Sequence, residues 1–435
     1  RQPAEIKIKI GLDDSNNIIA VDILSDMDAG AYESNSRVIM QRCAYTATNV
    51  YNFPNVRIFG RAYATNKVPS CAFRGFGAPQ AIFAIERAID NVAKKIGADA
   101  LELKRKYFIK KDDMTVTGGK FHDNIILPKM LDWILKDSDY ENKYKAYKND
   151  MYKGIGISCF LHGCAFTGSG ERDLIKAKLK ILKKGNRVKI FTSNTEIGQG
   201  LHTTFRKIAA YNLNIPVENI DIAEYDTDIV PNTGPTVASR SIIIVGYLVQ
   251  EASKKLKARW NEGEEIEIIE NYKHPEHVID WDTTNFRGDA YPSYGLGINV
   301  VEVEVDKVTF EVKIKGVWGV FDCGYAIDEK IVEGQIKGGM AQALGWGGLE
   351  KVVDKDGRYL QVKMSDYMIP TSLDLPEIKT CIMEEPYNYG PLGAKGIGEL
   401  TFDGAAAAYA SAMENALKYH FTKIPILPEN IAEVL

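Results

Sequence analysis

Near its C-terminus the chain carries three glycines within six residues, in the segment Gly393-Ala-Lys-Gly-Ile-Gly-Glu399. Glycines at this density let backbone N–H groups approach a ligand or another segment closely, because no side chain intervenes. An alanine-rich run at residues 405–419 follows almost at once and predicts a helix. The segment therefore predicts a tight loop, and Glu399 at its end is a candidate general base. A strand-to-helix connection with a surface glutamate explains the loop equally well when it is considered alone.

Composition excludes several classes of protein. The 435 residues are enough for two or three domains, and a content of 45% hydrophobic and 26% charged residues is ordinary for a globular protein. A net charge of −4 without a basic stripe argues against nucleic acid as a partner. No apolar run approaches the roughly 20 residues that span a bilayer, so no membrane association is expected. The chain begins with arginine and shows no signal peptide, which predicts a piece of a larger polypeptide.

The cysteines indicate a reducing compartment and no cluster chemistry within the chain. There is no Cys-x-x-Cys motif among the six cysteines, so neither an iron–sulfur cluster nor a zinc ribbon is expected here. The spacing is too sparse for a secreted disulfide framework, and we expect a cytoplasmic location. Cys159-Phe-Leu-His-Gly-Cys164 contains metal-ligand residue types, but without a second ligand pair it does not predict a metal site.

Hydrophobic periodicity predicts several elements in the first third of the chain. Alternating isoleucines on both sides of a turn-like segment at residues 13–17 predict a hairpin over residues 5–25. Apolar positions in steps of three and four predict a helix after Gln80 that stops near Gly97. The spacing of Asp99 and Glu102 is that of a capping box opening another helix.

The remainder of the chain mixes strands and helices without a regular alternation, which predicts an α+β fold. A charged, interrupted stretch at residues 110–153 suggests a boundary between domains at 1–150 and 151–435. We expect strands near 176–192, a helix after Gly200 and another from Ser239 to about Trp260. Five glutamates within residues 262–270 predict a solvated loop or insertion. Alternation at residues 301–314 predicts an antiparallel pair with one exposed face.

Four short segments share small residues, a polar side chain and a helix beginning nearby. They lie at residues 72–80, 196–203, 234–240 and 391–399. Helix N-termini suit anions, so several converging loops could hold a cofactor that carries a pyrophosphate. None has the glycine spacing of a dinucleotide fold or a P-loop. A turn before a helix explains any one of them singly.

Taken together, these segments resemble the molybdenum hydroxylase family, the xanthine dehydrogenase and aldehyde oxidoreductase group, in its molybdopterin-binding catalytic portion. The resemblance implies two mixed α/β molybdopterin-binding domains of the xanthine dehydrogenase type within the α+β class. It also implies molybdenum on molybdopterin, alone or as the cytosine dinucleotide, with no direct protein ligand to the metal. The matching segments are Phe73-Arg-Gly-Phe-Gly77, Ile197-Gly-Gln-Gly200, Pro235-Thr-Val-Ala-Ser239, Glu333-Gly-Gln-Ile-Lys-Gly-Gly339 and Gly393-Ala-Lys-Gly-Ile-Gly-Glu399.

The resemblance assigns roles to individual residues. It casts Glu399 as the base that deprotonates a hydroxide on molybdenum before attack on an electron-poor carbon, with Arg74 and Ala238 near the metal. Burial would raise the pKa of Glu399 and a helix N-terminus would lower it, and the sequence does not decide between them. An N-capping glutamate is the alternative. The implied cofactor-binding residues are Phe73, Arg74, Gly75, Gly198, Gln199, Gly200, Val237, Ala238, Ser239, Gln335, Lys395, Gly396, Ile397 and Gly398.

The resemblance also implies a substrate site. Phe76 would stack on a flat ring, and Arg42 falls where xanthine-oxidising members keep a substrate-binding arginine. A surface arginine is the alternative for Arg42. The xanthine enzymes carry a second ring-stacking phenylalanine followed by threonine, and we align that pair with Cys159-Phe160, a departure that puts the exact substrate in doubt. A buried, inert thiol is a further interpretation of Cys159.

The resemblance spans only part of the family's catalytic unit, and it implies partners. The rest of the N-terminal part of the catalytic subunit would precede Arg1, iron–sulfur and FAD groups would lie on other domains or subunits, and the assembly would be an oligomer. The sequence favours hydroxylation of a purine-like N-heterocycle. The alternatives are an aldehyde oxidoreductase, a nicotinate-type hydroxylase, or a non-catalytic assembly piece that keeps the fold.

Overall fold

A computed structural model describes residues 1–435 and contains thirteen strands and ten α-helices. The strands are β1 (Ala4–Leu12), β2 (Ile18–Gly30), β3 (Val56–Ala64), β4 (Lys153–Gly163), β5 (Lys178–Lys184), β6 (Arg187–Phe191), β7 (Ile220–Ile222), β8 (Glu265–Asn271), β9 (Tyr294–Val305), β10 (Val312–Asp322), β11 (Asp354–Lys355), β12 (Arg358–Tyr359) and β13 (Ile378–Ile382). The helices are α1 (Ser36–Tyr45), α2 (Ala78–Ile96), α3 (Ala100–Lys106), α4 (Leu127–Asp137), α5 (Tyr140–Tyr147), α6 (Leu201–Leu213), α7 (Tyr247–Ala258), α8 (Glu329–Gly348), α9 (Ala405–Leu417) and α10 (Pro428–Ala432). No helix is long and apolar enough to cross a membrane.

The central sheet has the strand order β13-β10-β9-β4 and is covered on both faces. Helix α9 packs against β4 and β9, while α4 packs against β9 and β10. Strand β4 runs antiparallel to β9, and its last residues, at positions 162–163, end beside the loop that carries Glu399. The position of the candidate base therefore depends on how β4 and α9 pack.

Small residues on both elements allow this packing. Gly154 and Gly156 of β4 face α9, and a Cβ atom at Gly156 would overlap the backbone of Ala408 and Ala412. The alanines of α9 are almost completely buried, as expected for a helix pressed directly onto a sheet. The alanine-rich run thus forms the helix that the sequence predicts, and its composition is explained by the short distance to β4.

Two further sheets complete the architecture. The first has the order β1-β2-β3, with β1 antiparallel and β3 parallel to β2, and it is backed by α1 and α2. The second has the order β7-β6-β5-β8, and α6 and α7 pack on it. A single π-helical turn at Ser241–Gly246 leads into α7. Strands β11 and β12 form a small isolated hairpin.

Most of the elements predicted from periodicity are present. The β1–β2 hairpin turns at residues 13–17, and α2 ends at Gly97, which has a left-handed φ of 69°. Asp99 caps α3 by accepting hydrogen bonds from the backbone N–H groups of Leu101 and Glu102. The strands near 176–192, the helix after Gly200 and the helical segment up to Ala258 are also confirmed, and the α+β class is confirmed with them.

Two predictions about exposure are wrong. The glutamate-rich residues 265–271 are not a solvated loop but strand β8, in which Ile266 and Ile268 point into the core. The strand alternation is masked in the sequence because Ile269 lies on the outward face and Glu270 on the inward one. The antiparallel pair β9–β10 exists, but the prediction of an exposed face is wrong for most of its length because helices cover both sides of β9. It holds only at the end where Glu304, Lys313 and Lys315 stay accessible. Glu302 can be buried in β9 because Lys143 and Tyr147 donate hydrogen bonds to its carboxylate.

The proposed division at about residue 150 stays a prediction. Segment 110–153 contains α4 and α5 and connects the first sheet to β4. One of the large hydrophobic clusters draws on both sides of this point, since Leu131 and Ile134 pack with Ile298 and Val300. The two parts of the sequence therefore share core contacts.

The contact between β4 and α9 yields a first prediction. Gly156→Ala would place a methyl group against the backbone of α9, and we expect a loss of about 1–3 kcal/mol in the free energy of unfolding. Gly11→Ala is the matched control, because a Cβ there lies 3.8 Å from its nearest neighbour, and a change under about 0.5 kcal/mol is expected. Denaturant titration of both variants measures the difference. Equal effects would contradict the packing argument.

Candidate active site

The loop that carries Glu399 is held at both ends by hydrogen bonds to other segments. The backbone N–H of Lys395 donates to the carbonyl of Cys323 at 2.7 Å, and that of Glu399 donates to Ser239 Oγ at 3.0 Å. Gly396 lies so close to Ser239 that a Cβ atom would overlap its carbonyl oxygen. The glycine at this position is therefore required by contact between two of the segments predicted to form the site.

Glu399 is enclosed by donors from three different elements. Its Oε2 atom lies 3.3 Å from Arg42 NH1, 3.4 Å from His162 Nε2 and 3.4 Å from Ser239 Oγ. The side chain retains 14% of its accessible surface, so one edge still reaches the cleft. It caps no helix, since no backbone N–H of the following turn donates to it. The N-cap alternative is thus wrong.

The structure decides which effect controls the ionisation of Glu399. Burial raises the pKa of Glu399, but Arg42 and His162 lower it more strongly, to about 2. The opposing effect is the charge of two side chains and not the helix N-terminus that the sequence suggested. The carboxylate is ionised at neutral pH and poorly solvated, the two properties that a buried general base needs in its resting state.

Arg42 lies on α1 and is a buried residue, so the surface interpretation is wrong. The residue is 3% exposed, and its NH2 group donates to the carbonyl of Ala165 at 2.8 Å. The guanidinium carbon lies 5.7 Å from the ring centre of Phe76 and 5.2 Å from that of Tyr291. Such cation–π contacts fix the guanidinium between the rings beside Glu399. Burial lowers the pKa of Arg42, but Tyr291 and Glu399 raise it above its ordinary value.

His162 and Asp403 complete the charged group, and the sequence interpretation missed both. His162 lies near the end of β4, and its Nδ1 atom is 2.7 Å from Asp403 Oδ2. Burial lowers the pKa of His162, but Asp403 and Glu399 raise it to about 9. Burial raises the pKa of Asp403 and His162 lowers it, and the net effect is a pKa raised to about 6. The signal available in the sequence is a histidine within an apolar run, which by itself also fits a metal ligand.

Arg74 joins three of the predicted segments. Its Nε donates to the carbonyl of Gly398 at 2.6 Å, and its NH2 donates to both the carbonyl and the side-chain oxygen of Gln335 on α8, each at 3.1 Å. The backbone before α2 is left-handed at three successive residues, with φ values of 88° at Gly75, 46° at Phe76 and 101° at Gly77. This strained turn aims Phe76 at Arg42, and strain of this kind is concentrated at functional sites.

A second strained segment lies opposite. Ala238 and Ser239 have φ values of 57° and 50°, in the left-handed region that non-glycine residues rarely adopt. The next residue, Arg240, is completely buried and binds both carboxylate oxygens of Glu171, at 2.6 and 2.9 Å. Its NH1 group donates to two carbonyls of the same loop. The Arg240–Glu171 pair thus holds the strained segment in place.

The backbone around this cleft carries unused donors. The N–H groups of Ala238, Ser239, Ile397 and Gly398 make no hydrogen bond within the chain. All four residues are partly exposed, so these donors are open to a polar group that binds in the cleft. A pterin with several ring heteroatoms, or a phosphate, is chemically suited to such donors, and the residues present therefore fit molybdopterin.

The loop at residues 196–200 is organised differently from the expectation. The carboxylate of Glu196 accepts hydrogen bonds from the N–H groups of Gly198, Gly200 and His202, so it already fills the anion position at the start of α6. The Gln199 side chain bonds locally, accepting from Ile197 N–H and donating to the carbonyl of Thr195. The idea of a pyrophosphate at this helix N-terminus is corrected accordingly.

Three predicted side chains lie away from the cleft. The Lys395 ammonium is buried and pairs with Asp322 at 2.7 Å, so only its backbone borders the loop. Cys159 and Phe160 are completely buried in β4, and the Phe160 ring packs on Phe321 with 5.9 Å between centres. Neither has surface to offer a substrate. Burial raises the pKa of the Cys159 thiol, which suits the inert interpretation.

A Phe-Thr pair occurs seven residues further along, as Phe166-Thr167. Both side chains are partly exposed, and Thr167 Oγ1 accepts a hydrogen bond from Arg42 Nε at 3.4 Å. The burial of Cys159 and Phe160 thus contradicts their prediction as substrate-binding side chains, whereas Phe166-Thr167 lies beside Arg42. Among the other predicted residues, Phe73 and Val237 are 42% and 51% exposed, so both leave apolar surface free for a ligand.

A buried, ionised carboxylate beside backbone donors that are open to a ligand is an arrangement suited to a cofactor-binding catalytic domain. Models of the molybdopterin cofactor-binding domain match residues 1–108, 133–266 and 258–376. These ranges make up well over half of the sequence. The chain belongs to this family, and its resemblance to the molybdopterin-binding catalytic portion of the molybdenum hydroxylases is confirmed.

Individual relatives agree with this assignment. A probable xanthine dehydrogenase component of Bacillus subtilis is 28% identical over 466 residues, covering 100% of this chain and 62% of that protein. The aldehyde oxidoreductase of Megalodesulfovibrio gigas is 28% identical over 462 residues, covering 100% of this chain and 49% of that protein. The crystal structure of the aldehyde oxidoreductase from Desulfovibrio desulfuricans superposes with a TM-score of 0.89 at 26% identity, covering 100% of this chain and 49% of that one. The chain thus spans only 49% to 62% of the length of these relatives.

The Arg240–Glu171 pair yields a second prediction. Arg240→Met would leave the Glu171 carboxylate buried and unpaired, and we expect a loss of about 3–5 kcal/mol in the free energy of unfolding. Arg187→Met is the control, since the Arg187–Asp221 pair is exposed and should contribute little. Adding Glu171→Gln to Arg240→Met should restore part of the loss. Denaturant titration measures all three, and a small effect of Arg240→Met would contradict the anchoring role.

Proposed function

We propose that this chain forms the base-bearing side of a molybdenum hydroxylase site that oxidises a purine-like N-heterocycle. The observation that supports the proposal is the position of Glu399, an ionised and poorly solvated carboxylate, directly beside Arg42, whose guanidinium lies over the Phe76 ring. A carboxylate serves as the base, a guanidinium balances negative charge on a ring oxygen, and an aromatic ring stacks on a flat substrate.

The chemical form of the cofactor and the residues that bind it are also part of the proposal. Molybdenum on molybdopterin, as the plain pterin or its cytosine dinucleotide, supplies the transferred oxygen and accepts the two electrons of the oxidation. The unpaired N–H groups of Ala238, Ser239, Ile397 and Gly398 would hold it. The Gln335 amide, which Arg74 orients, would contribute a further donor.

Each side chain then has a defined task. Glu399 Oε2 accepts a proton during the reaction. The pKa of this carboxylate rises when a positive charge moves away, so Glu399 becomes a stronger base once Arg42 turns toward the substrate. Arg42 donates to an oxygen of the substrate ring on which negative charge develops. Phe76 excludes water from one face of the ring and fixes its plane.

An aldehyde oxidoreductase is the second candidate, and a specific observation favours it. Arg42 already donates to Ala165 and Thr167 and pairs with Glu399, so a substrate must compete for it. The neighbour with a TM-score of 0.89 bears that name. Assaying the complete enzyme with purines, nicotinate and aldehydes separates the candidates. Activity confined to aldehydes would reject the purine-like proposal, and activity confined to nicotinate would restrict it to that type.

The proposed enzyme needs more than this chain. Because the chain spans 62% of one relative and 49% of another, we propose further N-terminal catalytic segments, iron–sulfur and FAD components, and an oligomeric cytoplasmic assembly. The remaining alternative is a non-catalytic assembly piece. Metal analysis of the intact complex from a cofactor-competent host tests it, since the absence of molybdenum would reject the enzyme proposal.

A third prediction concerns the base. Glu399→Gln keeps the shape of the side chain but cannot accept the proton, so we expect kcat to fall by about 10²–10⁴ at unchanged molybdenum content. Steady-state kinetics and metal analysis of the holoenzyme provide the two readouts. Turnover near the wild-type level would reject Glu399 as the base.

A fourth prediction isolates the role of Arg42. Arg42→Gln removes the positive charge beside the substrate, and we expect kcat/KM for a purine to fall by about 10²–10³. An aldehyde assayed with the same variant measures the loss of activity that is due only to removal of the Arg42 charge from Glu399. We expect kcat/KM for the aldehyde to change by about tenfold or less. Equal losses for both substrates would mean that Arg42 acts only on Glu399.

A further inference from the structure

His162 and Asp403 form a pair that the proposed roles do not use. The two side chains are 3% and 0% exposed, and Nδ1 of the ring lies 2.7 Å from Asp403 Oδ2. The other ring nitrogen, Nε2, lies 3.4 Å from Glu399 Oε2. The imidazole therefore bridges two buried carboxylates, one of which is the candidate base.

The pair is held by three separate elements. Asp403 follows Glu399 after the short helical turn Leu400–Phe402, so the two carboxylates are fixed relative to each other. A Cβ atom at Gly75 would lie 2.7 Å from Asp403 Oδ1, which shows that the turn before α2 closes over this carboxylate. His162 comes from β4, whose position is set by the central sheet. None of the three side chains can move far without repacking the core.

The hydrogen-bond geometry indicates a charged imidazole. In a neutral ring that donates from Nδ1 to Asp403, the lone pair of Nε2 could accept from Arg42 NH1 at 3.5 Å, but it would also face Glu399 Oε2 at 3.4 Å, which is repulsive. An imidazolium donates to Asp403 and forms an ion pair with Glu399, at the cost of facing the Arg42 guanidinium. Two carboxylates outweigh one guanidinium here, and the pKa of His162 is raised to about 9 although burial lowers it. The titratable groups that surround the ring or its two carboxylates are Arg42, Glu399, Asp403, Tyr291, Arg74 and Arg1.

Arg42 alone cannot serve both the base and the substrate. Its NH1 group lies 3.3 Å from Glu399, and a substrate oxygen that binds this guanidinium competes for the same donor. When that happens, the donors left to Glu399 Oε2 are His162 Nε2 and Ser239 Oγ, and only the first carries charge. A buried carboxylate without a cationic partner would take up a proton and cease to be a base.

We propose that His162, oriented by Asp403, is a positioning residue that keeps Glu399 ionised and in place while Arg42 engages the substrate. The inference rests on the proposed role of Glu399 as the base. It makes His162 responsible for the acid side of the activity profile, because loss of the imidazolium lets the pKa of Glu399 rise toward and above its ordinary value.

The fifth prediction tests this with His162→Gln and Asp403→Asn in the holoenzyme. In the wild type, the acid limb of kcat/KM that Glu399 produces lies below the assay range, because the pKa of Glu399 is about 2. In both variants that limb should rise into the assay range, so that activity at pH 5 falls by more than activity at pH 8. His122→Gln is the matched control, since His122 also contacts an aspartate at 2.7 Å but lies outside this group, and its profile should not move.

A second readout does not depend on turnover. The pKa of His162 is raised from 6.5 to about 9 in the folded state, so its ionic contribution to stability is complete below pH 6.5 and is lost as the pH rises through 9. The difference in Tm between wild type and His162→Gln, measured by scanning calorimetry on the holoenzymes, should therefore shrink over that interval. Asp403→Asn serves as the second variant should His162→Gln fail to fold.

The outcomes separate the two proposals. A uniform loss of activity at every pH, with an unshifted profile, would overturn the positioning role and leave His162 as a packing residue. A Tm difference that does not depend on pH would overturn the charged bridge itself. If Glu399→Gln were fully active while the Tm difference still depended on pH, the base assignment would fail and the charged bridge would stand.

Discussion

The compensation of buried charge at Glu399 is the constraint on which the site depends. Two carboxylates and two cationic side chains, contributed by α1, β4 and the segment before α9, share one buried region and balance each other. Removing one member would leave an uncompensated charge in a region that water barely reaches, which is far more costly than losing a surface ion pair. The positions of α1 relative to β4, and of β4 relative to α9, are therefore tied to the ionisation of the candidate base.

Close packing of α9 on β4 places the loop that carries Glu399 beside these charged side chains. The glycines of β4 let the alanine-rich α9 lie directly on the sheet, and the base loop enters the cleft just before α9 begins. Opposite it, the Arg240–Glu171 pair holds Ala238 and Ser239 in a left-handed conformation, where their N–H groups remain free. Backbone strain is costly, so its persistence beside a buried base is expected for a preorganised ligand site.

The sequence predicted elements and motif residues better than it predicted partners. Helix α2 and the β1–β2 hairpin follow from local periodicity, and the glycine-rich segments identified Glu399 and Arg74 because backbone requirements are visible as residue types. Strand β8 was missed because its outward glutamates resemble a solvated run. The pairing of His162 with Asp403 joins residues 241 positions apart, and no local pattern reports such a contact. Cys159 and Phe160 show the same limit, since their complete burial in β4 and the contact of Thr167 with Arg42 are visible only in three dimensions.

The Arg42–Glu399 contact also bears on substrate choice. A substrate with an oxygen that can accept from the guanidinium draws Arg42 away from the carboxylate and so raises the basicity of Glu399 at the moment when a base is needed. A simple aldehyde offers a weaker acceptor for this exchange, and it would leave Glu399 paired and a poor base. The interaction of Arg42 with the ring oxygen would then stabilise the transition state more than it stabilises the bound substrate. Under the proposed function, this coupling would distinguish an N-heterocycle with a polarised oxygen from an aldehyde, because only the first would draw Arg42 away from Glu399.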